Sequence, residues 1–377
     1  MKHVCLVLGF TVVLGQVIEI PLNHHERRRP LRDQFWSVPQ GLNSKNLPMN
    51  NIAESVYTAD LMIGTPYQPF RVLVDTGSAD TWVFSVANRK PFELPSLFES
   101  YNHSKSSTYT PVGSKFLIHY GTGQASGFSA QDVVALGGVQ SKSKMTFAEI
   151  DGPYQETNIP LGYPQDGIMG FGFPAYSVLR SPNPLQVLKN DGLVPKAVAT
   201  FSLARTGASS SLLLGDLPIL ASNEEIIWVP VVPFESSWII EIKSLSAGGY
   251  QECILTACKA LIDSGSTFMS FPKYTFQHLT SNIRGSRTDC GLAPQGFWKC
   301  SKLNPDGLIP LSFEVNGRTL TLEGKDFMRG GTEANGAGVL ELSQFDDPVF
   351  ILGQPFMRKY TSIFDFDNER IGFVVKK

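Results

Sequence analysis

The sequence predicts an all-β protein of two related lobes, and three observations predict it. An apolar run ending in Asp-Thr/Ser-Gly-Ser occurs twice, as Val72-Leu73-Val74-Asp75-Thr76-Gly77-Ser78 and as Ala260-Leu261-Ile262-Asp263-Ser264-Gly265-Ser266. A second matching pair, Ile168-Met169-Gly170 and Ile351-Leu352-Gly353, follows each at roughly 90 residues, and repeated blocks at a shared offset imply a duplicated unit. The 34 Gly and 25 Pro are dispersed among short apolar runs, the punctuation of a chain with many turns.

Taken in chain order, residues 1–16 carry Lys2 and His3, an apolar run from Val4 to Leu14, then Gly15 and Gln16, the pattern of a secretory signal peptide. That run is too short to span a bilayer, and no later run reaches the ~20 apolar residues a span requires. Residues 17–45 read as a leader: a β-like run from Val17 to Leu22, then the basic stretch His24, His25, Arg27, Arg28 and Arg29. Its bland reading is a solvated linker or a processing site at the Arg triplet; the sharper one is a prosegment whose cations pair with carboxylates at neutral pH and release them when they protonate. The two lobes are expected at 46–225 and 226–377, since a chain of 377 residues exceeds what one core usually fills.

In the first lobe, strands are expected at Tyr57–Ile63, Phe70–Asp75, Thr81–Phe84, Phe116–Tyr120 and Val133–Leu136. Short helices are expected at Leu185–Lys189 and Lys273–Ile283, and Asn223-Glu224-Glu225 reads as an interruption between apolar strands. Cys5 would leave with the signal. The remaining Cys253, Cys258, Cys290 and Cys300 allow three connectivities, of which pairing between sequence neighbours is the expected one. A zinc site is the weaker alternative, because the spacings are not C-x-x-C and no His is clustered nearby. Asn102-His103-Ser104 is the only N-glycosylation sequon in the sequence, making Asn102 the candidate acceptor. A formal charge of −2 gives no electrostatic footprint for nucleic acid or an anionic membrane.

The repeated acidic turn is where chemistry is expected. One Asp-Thr-Gly is a weak signal, because the Asp of such a turn usually just accepts from backbone amides. Two copies can bring two carboxyls together, and a pair held about 3 Å apart cannot both ionise, so one stays protonated while the other acts as a base. Gly77 and Gly265 permit the tight backbone that lets amides approach those carboxylates. Competing hydrolytic chemistries lack their motifs: neither G-x-S-x-G nor H-E-x-x-H is present.

With FRVLVDTGSADTWVFS at 70–85, IHYGTG at 118–123, DGIMGFG at 166–172 and ILG at 351–353, the chain resembles the pepsin-like aspartic endopeptidases from Tyr57 to Val375. The resemblance implies a bilobal acid-protease fold of two related β-barrel-like lobes with a central cleft and a flap hairpin, and catalysis by Asp75 and Asp263 through an activated water. It implies that Ser78 and Ser266 donate to the outer carboxylate oxygens, and that Thr76 and Ser264 tie the two loops together. Tyr120 and Gly121 would form the flap tip over the substrate, with Trp82 orienting Tyr120. No cofactor and no metal are implied; the partners would be protein or peptide substrates bound extended in the cleft, and pepstatin-like inhibitors. A hydroxyl at both outer positions is read as an acidic working range. A monomer is expected, because one chain supplies both halves of the site, and the destination would be secretion or a lysosomal or vacuolar lumen. The chain departs from the family in having no cysteine pair within NRKPFELPSL at 88–97, and in Gln165 ahead of Asp166. The alternative is a catalytically inactive pepsin-like homologue that only binds peptides or proteins.

Overall fold

A computed structural model describes residues 17–26, 55–88, 99–120, 123–151, 165–205, 209–233, 237–285, 287–293, 297–330 and 337–377. The expected signal peptide, most of the expected leader and Gly121 lie outside the described residues.

The chain enters as β1 (Ile18–Glu26), an alternating strand whose Ile18, Ile20 and Leu22 are buried. β2 (Ser55–Ile63) and β3 (Gln68–Asp75) form an antiparallel pair, and β4 (Thr81–Phe84) is buried at every position. The flap hairpin is β5 (Thr110–Tyr120) with β6 (Gly123–Asp132), followed by β7 (Met145–Ile150) and β8 (Gly167–Gly170). β8 runs parallel to β3 and antiparallel to β4, while β4 runs parallel to β7. Strands buried on both faces cannot alternate with polar residues, which is why GIMG and TWVF are continuous apolar runs broken only by Gly and Thr.

After a short helix, α1 (Pro184–Asn190), come β9 (Val198–Ser202), β10 (Ser210–Leu214) and β11 (Glu224–Pro230). α1 starts on a capping box in which Asn183 accepts from the Gln186 amide and the Gln186 side chain accepts from the Asn183 amide. The second half repeats the first half's arrangement. β12 (Cys258–Ile262) leads to the second acidic turn, followed by β13 (Met269–Pro272) and α2 (Lys273–Ile283), then β14 (Gly338–Phe345) and β15 (Phe350–Leu352). β15 runs parallel to β12 and antiparallel to β13, and β13 runs parallel to β14, the same order and the same directions as β3, β8, β4 and β7.

The halves are joined by a sheet to which both contribute. β16 (Ser362–Asp365) pairs with β9, and β17 (Arg370–Lys376) pairs with β16 and β11. β1 pairs with β10 over Ile18–Leu22 and with β2 over Asn23–Glu26, so it connects this shared sheet to the sheet of the first lobe. The sequence reading expects Asn223-Glu224-Glu225 to interrupt the apolar strands; instead Glu224 and Glu225 begin β11, paired with Lys376 and Val375. Charged residues fit there because they are only partly buried, and Glu225 forms an ion pair with Arg318. The strand β11 also spans the expected lobe boundary at 225/226.

Two disulfides pair sequence neighbours, Cys253 with Cys258 and Cys290 with Cys300, so all four described thiols are consumed and no zinc-binding set remains among them. No described helix is long and apolar enough to cross a membrane.

Candidate active site

β3 ends at Asp75 and β12 runs into Asp263, and the duplicated strand arrangement sets the two turns opposite each other. Each turn is supported in the same way. The Gly77 amide donates to Asp75 Oδ1 at 2.9 Å and Ser78 Oγ donates to Asp75 Oδ2 at 2.5 Å. The Gly265 amide donates to Asp263 Oδ1 at 2.8 Å and Ser266 Oγ donates to Asp263 Oδ2 at 2.5 Å. The turns then cross-link: the Thr76 amide donates to Ser264 Oγ at 3.0 Å, and the Ser264 amide donates to Thr76 Oγ1 at 2.9 Å. Each of these hydroxyls donates onward to the opposite strand, Thr76 to the Ile262 carbonyl and Ser264 to the Val74 carbonyl. Four reciprocal bonds between segments nearly 190 residues apart fix the spacing of the carboxyls to within hydrogen-bond tolerance.

The carboxyls themselves meet. Asp75 and Asp263 are 5% and 8% exposed, and each lies against the glycine of the other's turn. Burial first, and then the neighbouring Asp263 charge, push the Asp75 carboxyl up to about 8, against the opposing pull of the Ser78 and Gly77 hydrogen bonds. The glycines make this approach possible: a Cβ on Gly77 would lie 2.6 Å from Asp263 Oδ1, and one on Gly265 would collide with Asp75 Oδ1. The glycines closing the second repeated block do similar work, because Gly170 packs on the Ala79–Asp80 backbone and Gly353 on the carbonyls of Ser266 and Phe268.

Above Asp75 the flap supplies Tyr120. Trp82 Nε1 donates to Tyr120 Oη at 2.7 Å, and Trp82 itself is fully buried. Burial and the Asp75 charge hold the Tyr120 hydroxyl well above the usual tyrosine range, so it remains a neutral donor. Below the site, Trp238 Nε1 donates to the Phe171 carbonyl at 2.7 Å, and its ring packs among Phe173, Phe364 and Phe366, so a second-half side chain closes the floor of the first half. Asn102 and the four cysteines lie outside this cluster; Asn102 is held at the far end of β3 by the Gln68 side chain.

Sequence reasoning misses Asp80. This carboxylate is 1% exposed and accepts from Ser177 Oγ at 2.6 Å, the Val178 amide at 3.0 Å and the Leu179 amide at 2.9 Å. It thereby fixes the segment whose Leu179 packs on the same apolar cluster as Ile118 and Tyr120 of the flap. A carboxylate at the start of the buried run TWVF was the available signal, since a buried charge demands donors.

Residues 56–375 match the family model described as eukaryotic aspartyl protease. Among curated proteins, the chain is similar to cathepsin D of Dictyostelium discoideum, with 31% identity over 96% of both chains. It is also similar to napsin-A of Mus musculus, at 30% identity over 95% of this chain and 85% of napsin-A, and to renin of Rattus norvegicus, at 30% over 87% and 81%.

Proposed function

The chain belongs to the eukaryotic aspartyl protease family, and from that premise we propose that it is an aspartic endopeptidase that hydrolyses peptide bonds at acidic pH through a water activated between Asp75 and Asp263. The observation that carries the proposal is the facing pair of buried carboxyls with mirrored Ser and Gly donors, on turns laced together through Thr76 and Ser264. Two carboxyls sharing one proton are the known signature of aspartic proteases, and the pair titrates as a unit. The ionised member takes a proton from water as the water attacks the scissile carbonyl carbon. The protonated member hydrogen-bonds the carbonyl oxygen and stabilises the developing oxyanion. Collapse of the tetrahedral species breaks the C–N bond, and the proton taken from water passes to the leaving amine. Tyr120, neutral and anchored by Trp82, covers the water from the flap side.

Substrate would lie extended between the halves, held by strand-like backbone bonds with alternate side chains in pockets. Pepstatin-like inhibitors would occupy the same cleft. The raised Asp75 value supports one retained proton through the acidic and neutral range and its loss above about 8. The amino-terminal pattern supports entry into the secretory pathway, with residues 17–45 as a prosegment and a secreted or lysosomal or vacuolar destination. A monomer suffices, since both acidic turns come from one chain.

The test is cleavage of denatured haemoglobin by the acid-activated protein, with and without pepstatin. Asp75→Asn and Asp263→Asn are each expected to lower kcat by about 10⁴-fold or more, the scale for disabling one member of a catalytic unit, with retained near-ultraviolet dichroism. Substantial turnover in either folded variant would reject the dyad. Activity that peaks above about pH 7 and vanishes near about pH 4 would reject the acidic range. No pepstatin-sensitive cleavage at any acidic pH would leave a peptide-binding homologue.

A further inference from the structure

We propose that Asn102 carries an N-linked oligosaccharide, a modification site on the first lobe remote from the carboxyl pair. The sequon Asn102-His103-Ser104 is the only one in the sequence, so any N-linked sugar on this chain has a single address. The fold leaves that address open. The backbone of Asn102 is clamped by one side chain: its amide donates to Gln68 Oε1 at 2.8 Å, and its carbonyl accepts from Gln68 Nε2 at 3.0 Å. The side-chain oxygen is also committed. Asn102 Oδ1 caps the short 3₁₀ turn His103–Lys105, accepting from the Ser104 amide at 3.1 Å and from Ser104 Oγ at 2.7 Å.

What is left is Nδ2, the atom that would be glycosylated, which bonds to no described residue. Asn102 is half-buried, but Ser104, Lys105 and Ser107 beside it are exposed, so a sugar on Nδ2 has solvent to enter. The turn puts the sequon's own hydroxyl on Oδ1, so the finished N-glycosidic amide keeps both of its oxygen's hydrogen bonds. Neither the clamp nor the cap uses a proton that the modification removes.

The chemistry balances with one co-reactant class, a lipid-diphosphate-linked oligosaccharide in the secretory pathway. Nδ2 attacks the anomeric carbon; the new C–N bond forms as the bond from that carbon to phosphate oxygen breaks. The lipid diphosphate leaves with the electron pair, and Nδ2 gives up one of its two protons.

Position decides the consequence. Gln68 opens β3 and Asp75 closes it, seven residue steps of about 3.3 Å each, so the sequon lies about 23 Å along the strand from the carboxyl pair. A sugar at that distance neither blocks the cleft nor perturbs the dyad, and the modification is independent of whether the site hydrolyses peptides.

The full-length chain is expressed in a eukaryotic secretory host and its mass is read before and after peptide-N-glycosidase F. The expected result is one discrete mass step, with Asn102 converted to labelled aspartate when release is carried out in heavy-oxygen water. Ser104→Ala keeps the backbone cap from the Ser104 amide, so it tests the site in a folded chain; it is expected to lose the step, and Ser104→Thr to keep it. Haemoglobin cleavage by Ser104→Ala is expected within about twofold of the parent, as for well-separated sites. A parent chain without a mass step, or a step that persists in Ser104→Ala, overturns the proposal.

Discussion

Asp75 is where burial and hydrogen bonding compete, and burial wins. Its carboxyl moves from an ordinary 3.8 up to about 8, so the folded state binds its proton more tightly than the unfolded chain does. A carboxyl raised in this way stabilises the fold fully below the unfolded value, and the contribution is lost as pH rises toward the folded one. Between about pH 4 and pH 8 Asp75 therefore withdraws stability, and thermal melting of the parent is expected to fall across that window with a shallower slope in Asp75→Asn. Melting curves at steps through that range decide it; identical slopes would assign the pH dependence to other groups. Trp82 offers a second test at this scale. Trp82→Phe keeps an aromatic ring in the buried slot but removes the N–H that donates to Tyr120 at 2.7 Å together with part of the indole volume, so the loss is one hydrogen bond, about 1 kcal/mol, plus a small void, and kcat/KM is expected to fall at least roughly fivefold. Steady-state kinetics beside an unchanged fold by dichroism would check it. Asp75, Asp263 and their serines are legible in the sequence because the duplication writes each of them twice. Asp80 is not, because its three donors come from residues 97 to 99 positions away and nothing local announces them.

Among the elements, the ones that read most clearly are those whose pattern admits one interpretation. Thr81–Phe84 and Lys273–Ile283 end where the sequence says they end, the first because it is a short apolar run between turn residues, the second because its buried positions Phe276, Leu279, Thr280 and Ile283 repeat at helical spacing. β5 begins six residues before the expected Phe116, since Thr110–Lys115 is largely exposed and carries a register shift that conceals its strand character. β11 is hidden for a related reason: its first two residues are acidic, and only the C-terminal strand it pairs with explains them. The two acidic turns show how little slack these elements leave. Gly265→Ala would drive a methyl group into the Asp75 carboxyl, so the turn must shift and the dyad must separate. Overpacking of this kind costs about 1–3 kcal/mol, and we expect loss of nearly all hydrolysis in a chain that still folds, measured as activity beside a cooperative melt.

For the molecule as a whole, the cohesion between parts rests on a few points where distant segments meet. Glu341 in β14 is fully buried and pairs with Arg205 at 2.9 Å, with Arg329 at 3.3 Å and with Arg358. Arg205 follows β9 and also donates to the carbonyls of Asp326 and Met328, so this one carboxylate gathers the end of the first lobe onto three segments of the second. Glu341→Gln would leave those guanidinium groups with no buried anion in common; the expected cost is about 3–5 kcal/mol, read as a lowered melting temperature, with the acidic turns themselves unaltered. β1 matters on the same scale. It is the seam along which one sheet becomes the next, five residues bonded to β10 and four to β2. If maturation severs the chain after residue 45, that seam becomes a separate peptide that is still laced in on both sides. Shedding it would bare two strand rims and three apolar slots vacated by Ile18, Ile20 and Leu22. Trimming the front end is thus a refit of the molecule's backbone rather than the removal of a loose thread, and whatever covers those rims afterwards governs whether the shortened protein stays dispersed or clumps.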